Sequence, residues 1–236
     1  MISLSHLANY VFLGLLTCGC SKGTAFIVEY LNKQYLVTDK HVIYKTVDEF
    51  YNDFCSVMFY SQGTDHTPIS QLQIDLKKLK ENNKIRQSEF VDLFVIEIDN
   101  EEAIVKFTFS EVRGVPLIPH SLSNLWGKDI MMYGYPTSIK LRAPFDLKPF
   151  ISFGIVSAID EDSQQFVIDT PAYYGNSGGP VFRKKCGVEL IGVVQKMIPF
   201  NLEWHIAYEE ITRTDWHNTG YSICRNSNEI IKLIEQ

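Results

Sequence analysis

The sequence predicts an all-β protein, a barrel or a sandwich, and three observations carry that expectation. Short apolar or alternating runs rich in Val, Ile, Phe and Tyr recur along the chain, with turn residues between many of them. Helical periodicity is confined to peripheral stretches, so helices cannot supply the layers of the core. A chain of 236 residues, 45% hydrophobic and 21% charged, is long and apolar enough for one large domain or two small ones.

The elements follow in order. Val11 to Thr17 reads as a buried first strand. Tyr10 through Cys20 would also suit a signal h-region, but no Lys or Arg precedes it, and the run is too short to span a bilayer. The expectation is therefore a strand, in a cytoplasmic protein. Ala25 to Glu29 and Gln34 to Thr38 flank Asn32-Lys33, which reads as a hairpin connection. Thr46 to Phe54 suggests a short helix, and Ser56 to Tyr60 and Leu93 to Ile98 read as strands. Further strands are expected at Asp129 to Tyr133, Ile151 to Ala158, Gln165 to Asp169, Val181 to Arg183 and Leu190 to Met197. Lys184-Lys185-Cys186-Gly187 supplies a second hairpin connection, with glycine available for positive φ. Asn228 to Gln236 carries Ile230, Ile231, Leu233 and Ile234 at helical spacing, the pattern of an amphipathic terminal helix.

Charge and cysteine content exclude several classes. A net charge of −6 with no basic stripe argues against nucleic acid as a partner. Lys77, Lys78, Lys80, Lys84 and Arg86 do cluster, but Asp75, Glu81 and Glu89 interrupt them, as on a solvated face. Five scattered cysteines, an odd number, favour a reducing compartment over a disulfide framework. Cys18 and Cys20 stand too close for ordinary zinc-ligand spacing, and no Cys-x-x-Cys compensates elsewhere.

The chemistry concentrates in Gly175-Asn176-Ser177-Gly178-Gly179-Pro180. Flanking glycines let the backbone adopt tight positive-φ turns that aim successive N–H groups at one spot beside a hydroxyl. A serine hydroxyl is a poor nucleophile alone and needs a histidine base and a carboxylate to orient it. His41 ends the strand-like run from Tyr35, and Asp92 opens the run Asp92-Leu93-Phe94-Val95-Ile96.

The glycine-serine segment resembles the nucleophile motif of trypsin-like serine peptidases, closest to the bacterial HtrA-like branch. Gly23-Thr24-Ala25-Phe26 resembles the strand before the family's histidine, and Leu36 to Val42 the histidine motif itself. Tyr133-Gly134-Tyr135-Pro136 and Gly154 to Ala158 are similar to second-barrel segments, and Asp169 falls where the branch commonly carries aspartate. The resemblance implies two six-stranded antiparallel β-barrels of chymotrypsin type and a short C-terminal helix, in a single peptidase domain over 1–236. The N-terminal barrel would cover about 8–108, the C-terminal barrel about 120–225 and the helix about 227–236, with Pro116 and Pro119 in the junction. It also implies a serine endopeptidase with His41 as base, Asp92 as orienting carboxylate and Ser177 as nucleophile. The N–H groups of Gly175 and Ser177 would form the oxyanion hole, and no metal or organic cofactor is called for.

By the same resemblance Gln195, Lys196 and Met197 form one wall of the primary pocket, approached by Ala172, Tyr173 and Tyr174. No carboxylate stands where one would select Lys or Arg, so small or medium apolar side chains are the expected preference. The substrate would be a peptide or protein, with no role for nucleic acid or membrane. Asn176 replaces the aspartate that pairs with the new N-terminus of activated zymogens, so activation by cleavage is not expected. A latent state, released when an activating partner or substrate orders the oxyanion loop, is consistent with HtrA-like relatives, whose PDZ module has no counterpart here. Two other readings stay open. A peptidase-like scaffold could bind a partner without cutting it. Gly-x-Ser-x-Gly also fits the elbow of α/β-hydrolases, but Val181-Phe182 then reads as strand where that fold needs a helix.

Overall fold

Continuous apolar runs become the strands whose two faces are both buried. The computed structural model describes residues 12–60, 68–99, 101–108, 112–139, 149–185, 187–206 and 211–236. Its first half carries β1 (Leu13–Cys18), β2 (Ser21–Tyr30), β3 (Lys33–Thr38), β4 (Phe54–Tyr60), β5 (Pro68–Asp75), β6 (Ile85–Ser88), β7 (Val91–Glu97), β8 (Ile104–Thr108) and β9 (Val115–Pro116). These form a nine-stranded half-barrel sheet in the order β6-β7-β3-β2-β1-β4-β5-β8, with β9 added parallel to β2. The second half carries β10 (Asp129–Gly134), β11 (Phe150–Asp160), β12 (Gln165–Asp169), β13 (Pro180–Lys185), β14 (Gly187–Ile206) and β15 (Ile211–Asn226). These six close into a barrel in the order β10-β11-β12-β15-β14-β13. Helices are peripheral and short: α1 (Lys40–Ile43), α2 (Leu76–Glu81) and α3 (Asn228–Glu235). No helix among the described residues is long and apolar enough to cross a membrane. The architecture is the chymotrypsin-like one the resemblance implies, except that among the described residues only the second half closes into a six-stranded barrel, the first remaining an open half-barrel because extra strands extend its sheet.

Side-chain alternation distributes each strand between two cores. Along β2, Ala25 and Ile27 enter the core of the first half, while Phe26 and Val28 enter a joint core between the halves. Along β10, Ile130 and Met132 fill the closed barrel, and Met131 and Tyr133 face the joint. The two halves are thus held by shared apolar burial, worth roughly 25 cal/mol per Å² removed from water.

Local details differ from the sequence reading in two places. The β2–β3 turn falls one residue earlier, with Leu31 and Asn32 at φ of 51° and 61° and Tyr30 facing Lys33. That is the two-residue geometry whose twist matches the strands it joins. Residues 46–54 form no helix. Phe50 bridges back to Tyr44 with rings 4.6 Å apart, and Asn52 Oδ1 accepts the Phe54 N–H, so side-chain bonds replace the helical ladder. The first strand is β1, and Val11 lies outside the described residues.

Candidate active site

The site is assembled where β3 and β7 leave the first half and meet a loop of the second. These strands pair antiparallel up to Thr38↔Phe94, so the residues just beyond that rung, including Asp92, stand near the start of α1. Val42 and Ile43 are buried and anchor the single turn of α1, which leaves His41 about half exposed. The Asp92 carboxylate accepts the His41 backbone N–H at 3.1 Å and meets Nδ1 at 2.7 Å. Burial pushes this carboxyl up, but the His41 hydrogen bond and charge, its backbone N–H and the Lys40 charge together hold it below the usual range. An ionised Asp92 can only accept, so Nδ1 carries the proton of this contact.

Ser177 sits in the loop between β12 and β13, whose backbone is tied on every side. Asn176 N–H donates to Tyr173 O at 2.9 Å, and Gly175 completes that turn at φ +97°. Thr24 N–H donates to Ser177 O at 2.9 Å, and Thr24 Oγ1 to Gly175 O at 2.7 Å. With these carbonyls drawn toward β2, the N–H groups of Gly175 and Ser177 have no acceptor among the described residues. Ser177 Oγ donates to Gln195 O at 3.1 Å, and Gln195 Nε2 donates to Asp92 O at 3.2 Å. Gln195 therefore touches both the serine and the carboxylate strand. Among the described residues no hydrogen bond joins Ser177 Oγ to His41.

One cavity of about 690 Å³ gathers His41, Asp92 and Ser177 with Ala172, Tyr173, Tyr174, Gln195, Lys196 and Met197. Ile198, Pro199 and Ile223 complete its lining and were invisible in the sequence, because they depend on where β14 bends away from the barrel. Tyr174 is 75% exposed and Ala172 4%, so the tyrosine projects outward while the alanine is wall. Asp92 is the one carboxylate in that lining. Sequence reasoning also missed Asp39, whose carboxyl is fully buried, with Oδ2 2.8 Å from the Gly178 N–H.

Asp39, His41 and Asp92 bring one donor atom each within 4.8 Å of the others. The 2.7 Å contact between His41 and Asp92 is a proton-sharing distance. Ligands on one zinc ion, with bonds near 2 Å, would stand roughly 3.3 Å apart. The arrangement thus suits a hydrogen-bonded His41–Asp92 pair better than metal ligation.

Comparison with known proteins follows the geometry. The profile of the trypsin-like peptidase domain matches residues 23–193. No curated protein matches the sequence. Among solved structures, the thermostable serine protease AL20 from an extremophilic microorganism superposes with a TM-score of 0.61 at 14% identity, covering 96% of each chain. A Glu endopeptidase gives 0.60 at 17% identity, covering 96% of this chain and 89% of its own. The HtrA-type protease AlgW gives 0.54 at 15% identity, covering 95% of this chain and 59% of its own.

Proposed function

The chain belongs to the family of trypsin-like peptidases, and from that premise we propose that it is a serine endopeptidase working through His41, Asp92 and Ser177. The roles are those of the family. His41 Nε2 takes the Ser177 proton as Oγ attacks the scissile carbonyl, then returns it to the leaving amine; water repeats the sequence to release the acyl group. Asp92 keeps the imidazole in the Nδ1–H tautomer and stabilises its charged form. The N–H groups of Gly175 and Ser177 receive the oxyanion, a donor pair of the kind whose loss costs about 10²–10³ in rate per member.

The observation that carries this reading is the meeting, in one cavity, of the Asp92–His41 pair from the first half and the Ser177 hydroxyl from the second. The Ser177 hydroxyl rests on Gln195 O and must rotate to reach Nε2. This favours a resting side-chain rotamer that the substrate itself converts to the working one. Ala172, Met197 and Ile223 line the cavity without an acidic partner beyond Asp92, which supports small or medium apolar side chains at the scissile position. Five cysteines, an odd number scattered along the chain, support a cytoplasmic setting.

Labelling with a fluorophosphonate tests the proposal, with Ser177→Ala and His41→Ala as controls. Wild type should be modified at Ser177 and both variants should not. Labelling that survives Ser177→Ala would overturn the assignment.

A further inference from the structure

The buried carboxyl of Asp39 is absorbed by none of the roles above. It stands two residues before His41 and is fully buried. Oδ2 accepts the Gly178 N–H at 2.8 Å, sharing that donor with Val194 O at 2.9 Å, and Oδ1 has no partner. One of its oxygens lies within 4.8 Å of donor atoms on both His41 and Asp92. Around Gly178 the packing is close. A Cβ there would lie 2.2 Å from Thr24 O, 2.3 Å from Thr38 Oγ1 and 3.0 Å from Asp39 N.

We propose that Asp39 is a positioning residue for the reaction, a carboxyl that holds the loop after Ser177 against the strand end before His41. The proposal rests on the peptidase reading. Two carboxyls beside one imidazole cannot both carry charge cheaply in a dry site. Asp92 takes the charge, because it has two donors from His41 and reaches solvent. Asp39 has half of one donor and no exposure to bulk solvent, so it stays a neutral acid.

The surrounding groups agree on direction. Burial first, then the Asp92 charge, push the Asp39 carboxyl well above the ordinary range; the Gly178 N–H and the Arg225 charge pull the other way without reversing it. Arg225 is drawn to Glu229, Asp92 and Asp160 as well as to Asp39. The Cys224 thiol, pushed up above all by burial, adds no charge. Lys40 acts on Asp92 and strengthens the assignment of the charge to that residue. A neutral Asp39 leaves the imidazolium formed during acyl transfer with one counter-charge, Asp92, while the loop stays pinned.

The linkage sign follows. An acid kept protonated in the fold but free to ionise when unfolded stabilises fully below the ordinary carboxylate value, and that stability is lost as pH rises toward the folded value. Asparagine has the same shape and an acceptor for Gly178, and it does not titrate. The Tm advantage of Asp39→Asn over wild type should therefore be small near pH 4, an ordinary carboxylate value being about 3.9, and should widen by several degrees toward pH 8. Asp39→Ala removes the acceptor, so hydrogen exchange across residues 173–179 should quicken. Fluorophosphonate labelling of Ser177 should slow about tenfold in Asp39→Ala and stay within about threefold of wild type in Asp39→Asn, the difference one such hydrogen bond makes.

A Tm gap that does not change with pH would overturn the neutral acid. Unchanged exchange and labelling in Asp39→Ala would overturn the positioning role. If wild type itself resists labelling, the peptidase reading fails, and Asp39 is still judged by exchange and by the Tm gap. If Asp39→Ala does not fold, the pH behaviour and labelling of Asp39→Asn decide.

Discussion

Gly178 shows at the scale of one residue how tightly the Ser177 loop is seated. Its φ of +81° lies in the left-handed region, and the place of a Cβ is taken by Thr24 O and Thr38 Oγ1. The nearer obstacle is backbone that cannot swing aside. Gly178→Ala should therefore cost about 2–4 kcal/mol in urea unfolding and abolish labelling of Ser177. An unchanged midpoint with normal labelling would show that the loop can shift without consequence. The signals that revealed His41, Asp92 and Ser177 in the sequence were local ones, a strand end, a strand start and a glycine-bounded turn. Asp39 gave no such signal, because an aspartate after a strand reads as a turn or cap. Its burial arises only when Gly178, 139 residues further on, closes over it.

The long hairpin of β14 and β15 is the element that departs most from the barrel. From Pro199↔Asn218 outward the two strands pair only with each other among the described residues, as far as Ile206↔Ile211. Phe200 stacks on His217 at 5.4 Å, while Phe200, Leu202, Trp204 and Trp216 remain exposed. A two-stranded ribbon is marginal on its own, so this arm adds little to the stability of the closed barrel. Replacing residues 202–215 by Asn-Gly, which joins the facing pair Asn201 and Trp216 through a favoured turn, should move Tm by only a few degrees and preserve labelling. A collapse of cooperative melting would show instead that the arm supports the barrel. The same physics explains which strands were legible. β2, β3, β7 and β10 lie between two cores and read as unbroken apolar runs. β5, with its Gln71 and Gln73, and β15, with Asp215 to Gly220, expose polar residues and read as loops until their partners are known.

Across the whole molecule, the joint core decides whether the halves behave as one body. Phe26, Val37 and Leu93 come from the first sheet, Met131, Phe182 and Val193 from the barrel, and Ile230 and Leu233 from α3. Phe12, Tyr133 and Phe182 meet edge to face, with centroids 5.6–6.2 Å apart. The helix also bonds across to the first half, where Arg86 Nη1 donates to Ile234 O at 2.8 Å. Because His41 and Asp92 stand on one side of this joint and Ser177 on the other, the site exists only while the joint holds. Ile230 is fully buried there, so Ile230→Ala removes apolar contact from both halves at once. The expected loss is about 2–4 kcal/mol, typical of a buried isoleucine cut to alanine. Unfolding should remain a single transition, with tryptophan fluorescence and far-ultraviolet dichroism coinciding and labelling vanishing at the same midpoint. Two separated transitions, with labelling lost at the first, would mean that each half folds alone and that the joint serves only to align His41 and Asp92 with Ser177.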